Sequence, residues 1–246
     1  MGRSKHSERN SLKSLSKRPA DLPARARKIV GILKKTYPVA TCALTHQNPF
    51  ELLIATILSA QSTDQTVNKV TPVLFARFPT PQRLADAGRD EIEEIIHSTG
   101  FFRNKAKSVQ MASKTIVEDF GGRVPDTMEN LLRLQGVARK TANVVLGTAF
   151  GKNEGVVVDT HVGRLSTRLG MTWSSKNDKD ALAVERDLMA IIPRDDWTIL
   201  SHALIWHGRR VCSAKKPQCA DCELSGVCPS AGTIEPSHRV AKTKSH

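Results

Sequence analysis

Aromatic residues are scarce in this sequence: one tyrosine, three tryptophans and seven phenylalanines make up 4% of 246 positions. Its core must be built mainly from Leu, Ile, Val and Ala, and the length suffices for one large domain or two modest ones. No apolar run reaches the ~18 residues of a membrane span. No secretory apolar segment follows the amino terminus. Strand-like sequence is nearly missing; only residues 155–158 read that way, too few to build a sheet. No internal repeat is evident. Outside residues 212–228 there is a single cysteine, Cys42, which reads as a small buried hydrophobe.

Acidic residues are outnumbered, 24 against 37 Lys and Arg, for a net charge of +13. Residues 1–36 carry a net +9 of this, which leaves +4 on the other 210. An excess of that size favours a polyanionic partner, although solvated basic tails are common. The Ser, Lys and Arg content of residues 1–22 predicts a disordered tail, and residues 231–246 read as a flexible carboxy-terminal tail.

What remains is helical periodicity almost throughout. Residues 24–36 place Ile29, Val30 and Leu33 on one side of a basic helix. Residues 50–60 (FELLIATILSA) are apolar nearly all round, the pattern of a central buried helix. Ser62 with Gln65 fits a capping box, and Thr80-Pro81, Asp90, and Asp126 with Glu129 read as further helix starts. Residues 105–119, 139–150, 160–169, 178–191 and 196–206 supply the other helices. The fold class is all-α.

Two segments carry chemistry. In LQGVARKTANVVLGTAFGKNEGVVVDTH, residues 134–161, a turn at Gly136 leads into a helix with Lys140 in its first turn, and Asp159 follows one helix and one loop later. An amine at the positive end of a helix dipole, with a carboxylate nearby, suits imine chemistry on an electrophilic carbon. A lone lysine after a glycine turn is more often a solvated surface residue, and Asp-Thr-His is also a good helix cap. The second segment holds Cys212, Cys219, Cys222 and Cys228, with six, two and five residues between them. Four thiolates so close in sequence bind a metal or a cluster, and by ligand chemistry alone zinc is the better candidate.

Both segments resemble the endonuclease III family of DNA glycosylase/abasic-site lyases, whose helix-hairpin-helix reads roughly LPGVGRKTA and is followed by VDTH. Gln135 and Ala138 replace the usual proline and second glycine. The alanine matters only if its position needs a positive φ. The resemblance implies a two-domain helix-hairpin-helix glycosylase fold. A six-helix domain would span 42–153, and a discontinuous cluster domain would join 23–41 to 154–230. Lys140 would be the nucleophile and Asp159 its partner across the cleft. The cysteine spacing matches the family's 4Fe-4S loop at every ligand, which displaces zinc. Lys215 and Lys216 would lie on the phosphate-contacting part of that loop, or be merely solvated; Gln218 stands where a further basic residue is common.

The same resemblance makes LSAQSTDQTVN a wedge loop that inserts Gln61. GFFRNKA would insert Phe101, with Phe102 and Arg103 replacing the family's Tyr-Asn. The alternative is that Gln61 caps a helix and the phenylalanines pack in the core. Gly136 and Ala138 would offer backbone N–H groups to a phosphate. His161 would touch the DNA backbone or the aspartate, or be a plain surface histidine. The function implied is a bifunctional glycosylase/lyase of base excision repair that acts on oxidised pyrimidines. Its partner would be double-stranded DNA carrying a damaged base or abasic site. The protein would be a cytoplasmic, nucleoid-associated monomer with no membrane partner. An adenine-specific mismatch glycosylase is the nearest rival, but that family has no lysine where Lys140 stands. A non-catalytic DNA-binding module with a structural cluster is the rival of another class, and in it Lys140 would be dispensable.

Overall fold

The computed structural model describes residues 17–175 and 177–233. The expected basic tail lies outside the described residues as far as residue 16, and the expected carboxy-terminal tail lies outside them from residue 234. Eleven α-helices occur among the described residues: α1 (Leu22–Thr36), α2 (Pro49–Leu58), α3 (Asp64–Arg77), α4 (Pro81–Ala85), α5 (Arg89–Ile96), α6 (Phe102–Phe120), α7 (Met128–Leu131), α8 (Arg139–Ala149), α9 (Thr160–Arg168), α10 (Ala181–Met189) and α11 (Trp197–Arg210). There is no β-strand among them. Residues 155–158 are extended and buried but pair with nothing as a sheet. Residues 42–153 contain seven helices against the six expected, α4 and α7 being single turns.

Local chemistry sets most helix starts. The Asn48 side chain accepts from Glu51 N at 2.9 Å, and Pro49 follows at the first helical position, where its missing N–H leaves nothing unsatisfied. Thr80 caps α4 as expected, accepting from Arg83 N at 3.2 Å. Three starts are shifted. Thr63, not Ser62, caps α3, and Thr127, not Asp126, caps α7. Each of these threonines has the extended backbone that aims its hydroxyl at the N–H three residues on. Helix α5 begins after Gly88, so Asp90 lies inside its first turn, where a carboxylate meets the helix dipole favourably.

The helices close around two apolar cores. Helix α2 is the axis of the first; its Leu52, Leu53, Ile54, Ala55 and Leu58 have no solvent exposure. Around it pack α3, α6 and α8. The second core joins α1 to residues far along the chain, in α9, α10 and α11. Its Leu22, Ala26, Ile29 and Leu33 meet Val162, Leu165, Leu188 and Leu204. The cores touch along the extended segment, where Val157 belongs to the first and Val156 and Val158 to the second.

A buried carboxylate locks the second core. Asp187 of α10 accepts from Thr172 Oγ1 at 2.7 Å, Trp173 N at 2.7 Å and Ser174 N at 2.8 Å. Burial pushes its acidity toward the neutral form, but hydrogen bonds from Ser174, Thr172 and Trp173 outweigh this and hold it below the ordinary carboxylate range. A carboxylate depressed on folding adds stability above its unfolded value of ~3.9 and loses it as pH falls through the folded value. Asp187→Asn should therefore lower stability by about 1–3 kcal/mol at neutral pH. In urea titrations the gap from the unsubstituted protein should narrow below about pH 4.

Candidate active site

Residues 134–137 form the turn before α8, closed by Val137 N donating to Leu134 O at 3.1 Å. Gly136, third in the turn, has φ +82°, the type II pattern. A Cβ there would lie 2.8 Å from Ser108 Cβ and 3.2 Å from Ile57 Cγ2, so the turn is pressed onto α6 and α2. Glycine is required on both counts. Gln135 takes the second turn position, which favours proline without needing it. Ala138 has φ −102° and ψ 172°, ordinary extended backbone that alanine adopts without strain. It flanks α8 and provides no side-chain cap, unlike Asn48, Thr63, Thr80, Thr127 and Asp159 at other helices. The first N–H groups of α8 thus form an uncapped positive end.

Lys140 is the second residue of that helix. Asp159 caps α9 through Oδ1, which accepts from His161 N at 2.9 Å and Val162 N at 2.8 Å. Oδ2 has no hydrogen-bond partner among the described residues. Lys140 and Asp159 line one pocket of about 100 Å³, together with Thr56, Ser59, Asp64 and Arg209. Both cores contribute to its walls, Val144 and Val157 from the first and Ile205 from the second. Lys140 is exposed in the free protein. Across the pocket, Arg209 Nη2 donates to Asp64 Oδ2 at 2.6 Å. Nothing local in the chain announces this pair, since 145 positions separate its members.

Gln61 and Phe101 have φ of 54° and 48°, and they are the only non-glycine residues with positive φ among those described. Such backbone is strained for both side-chain types. Gln61 is exposed and does not cap α3, a role held by Thr63. Phe101 is 66% exposed, large for an apolar residue, and does not join the core. Phe102 does pack partly into the first core, 4.4 Å from the His97 ring, with the Arg103 guanidinium 5.3 Å above it. The buried Lys105 amine donates to Thr99 O at 2.7 Å and ties down the loop beneath Phe101. Burial pushes that amine's acidity toward the neutral form.

The His161 ring packs against α11, where a Cβ on Gly208 would lie 2.9 Å from its Nδ1, and Arg164 Nη2 is 3.2 Å from the same nitrogen. Burial lowers its proton affinity; the nearby Asp159 opposes this, and Arg164 and Arg209 reinforce it. His161 is thus half-buried beside the pocket rather than a plain surface residue.

Cys212, Cys219, Cys222 and Cys228 line one cavity of about 30 Å³, walled otherwise by Leu165, Leu169 and Leu224 among others. No three His, Cys or acidic side chains among the described residues converge closely enough to hold a single metal ion; the thiols ring a space instead. Arg168 Nη1 lies 3.2 Å from Cys212 Sγ and His207 Nε2 3.4 Å from Cys222 Sγ. Burial pushes the Cys222 and Cys228 thiols up, and their cysteine neighbours push the same way. Lys215 and Lys216 are exposed, on a loop held by Arg168 bonds of 2.8 Å to Ser213 O and Ala214 O.

The family profile described as "HhH-GPD superfamily base excision DNA repair protein" matches residues 54–194. An endonuclease III of Synechocystis sp. is 58% identical over 220 residues, 89% of this chain and 99% of that protein. An endonuclease III of Bacillus subtilis is 46% identical, over 78% of this chain and 86% of that protein. Among solved structures, a trapped endonuclease III–DNA covalent intermediate superposes with a TM-score of 0.79 at 43% identity, covering 86% of this chain and 97% of that one.

The turn yields a paired prediction. Gly136→Ala should destabilise by about 1–3 kcal/mol in chemical denaturation, from the positive φ and the contact with Ser108. Ala138→Gly should shift stability by less than about 1 kcal/mol, because that position already tolerates a side chain.

Proposed function

We propose, from the premise that this chain belongs to the endonuclease III family of HhH-GPD base excision repair proteins and is a DNA glycosylase/lyase, that Lys140 is its nucleophile and Asp159 the carboxylate partner. The observation that carries this is the single pocket lined by both residues, at an uncapped helix start on one side and a capped one on the other. The neutral Lys140 amine attacks the anomeric carbon of an extruded nucleotide. A carbon–nitrogen bond forms, and the glycosidic bond breaks with its electron pair leaving on the base. The nitrogen then loses a proton and its lone pair opens the sugar ring, the C1′–O4′ bond breaking as O4′ takes a proton. The iminium that results acidifies the neighbouring C2′ proton. Its removal breaks the C3′–oxygen bond by β-elimination, and water then releases Lys140. Asp159 Oδ1 is committed to the α9 amides, while Oδ2 is available to stabilise the cationic sugar and assist proton transfer.

The extruded nucleotide leaves a gap that costs a few kcal/mol of lost stacking. Gln61 and Phe101, held in left-handed backbone and projecting outward, are suited to fill it. The N–H groups of Gly136 and Ala138, with the start of α8 behind them, suit a phosphate without reading sequence, and Lys215 and Lys216 add cationic contacts. Closing DNA over the pocket would supply the burial that Lys140 lacks in the free protein. The substrate is an oxidised pyrimidine in duplex DNA, bound by a monomer beside the bacterial nucleoid.

Cys212, Cys219, Cys222 and Cys228 would hold a 4Fe-4S cluster; the ring of half-buried thiols around an apolar cavity supports a group larger than one ion. A cluster enclosed by four thiolates serves to hold the loop of Lys215 and Lys216 in shape. The cluster-bearing part then comprises residues 23–41 and 154–230, and the helix-hairpin-helix part 42–153.

Borohydride should trap the protein covalently on abasic-site duplex, and Lys140→Gln should abolish the adduct; a non-catalytic binding module would form none at all. Asparagine is a good helix cap, so Asp159→Asn should keep the melting temperature while lowering the single-turnover rate about 10²-fold or more. Purified protein should be brown with absorbance near ~400 nm, which Cys222→Ser removes, whereas a zinc protein would be colourless.

A further inference from the structure

Glu185 lies on α10, in the second core's half of the molecule, with its carboxylate buried against the start of α8. Arg139 Nε donates to its Oε2 at 3.0 Å and its Oε1 at 3.2 Å. Asn143 Nδ2, one helical turn on, donates to Oε1 at 2.9 Å. Arg139 immediately precedes Lys140, and Asn143 follows it by three residues, so the carboxylate grips the helix on both sides of the amine. Gly155 passes directly beneath, where a Cβ would collide with Glu185 Oε1 and Asn143 Nδ2. The backbone that leads in four residues to Asp159 therefore rests on the same carboxylate.

We propose that Glu185 is a positioning residue, which sets the separation of Lys140 from Asp159 by touching both the helix that bears one and the segment that bears the other. A buried carboxylate that shares one guanidinium N–H between its two oxygens and takes a second bond from an amide is held in a directional way. Stability alone does not account for the arrangement: Asn143 Oδ1 is buried with no partner among the described residues, an unfavourable condition that an apolar contact would avoid. An amine misplaced by about 1 Å at a reacting carbon loses on the order of 10²-fold in rate. Sequence reading missed Glu185 because it sits in an ordinary helical pattern, 42 positions from Asn143 and 46 from Arg139.

The inference rests on the lyase reading above, and the test separates the two. Full-length protein purified with its cluster is compared with Glu185→Gln, which keeps shape and loses charge, and with Arg139→Lys, which keeps charge and loses the fixed Nε donor at a half-exposed position. Single-turnover cleavage and borohydride trapping on abasic-site duplex are measured beside affinity for an uncleavable abasic analogue duplex and the melting temperature. Glu185→Gln should slow both reactions about 10- to 100-fold and Arg139→Lys several-fold, with affinity within about twofold. Unchanged rates in both variants overturn the inference, as does a rate loss matched by an equal loss of affinity. Should Glu185→Gln fail to fold, the Arg139→Lys rates decide alone. No adduct with the unsubstituted protein overturns the lyase reading, and the positioning role with it.

Discussion

Three consecutive valines divide their side chains between two apolar cores, Val156 and Val158 entering one and Val157 the other. Alternation of this kind fixes the register of an extended segment, because a slip of one residue would send each valine into the other core and draw Gly155 or Asp159 into the places they leave. Asp159 is the next residue, and the second core ends the extension by starting α9 there. The carboxylate is thus located by hydrophobic burial on one side of it and by two amide hydrogen bonds on the other. Lys140 is located from the opposite direction, by a glycine turn pressed onto Ser108 and Ile57 of the first core. The pocket exists because these two constraints meet at its walls.

How much of this the sequence revealed depends on the range of the interaction. Helix α2 was legible because its apolar residues leave no polar face, and burial on every side is the only stable outcome. The cysteine quartet and the glycine turn were legible because their residues are neighbours in the chain. Caps were misplaced by a single residue at Ser62 and Asp126, since Thr63 and Thr127 offer the same chemistry and backbone angles decide between them. The pairs Arg209–Asp64 and Arg139–Glu185 left no local trace, because tertiary packing alone brings them together. Exposure of Lys140 was equally hidden; a helix start announces a dipole but not what covers it.

Strain is distributed unevenly. The other left-handed positions among the described residues are glycines, which accept them freely. Gln61 and Phe101 accept them at a cost of roughly 1–3 kcal/mol each, and Phe101 also leaves its ring in water. The surrounding structure compensates, through the Thr63 cap just after Gln61 and the buried Lys105 amine beneath Phe101. Conformations disfavoured in isolation are thereby held in place by their neighbours.

The two cores also differ in when a ribosome can complete them. Apart from Val157, every residue of the first lies between Leu44 and Leu146, so it can collapse while the remainder is still being made. The second needs α1, synthesised early, and partners that emerge as late as Leu224. Until then the apolar face of α1 has nothing to pack against, and the nascent chain carries a sticky, basic helix through most of its synthesis. Vectorial translation thus leaves the thiol-lined cavity, whose walls run from Leu165 to Ala231, to close after the first core.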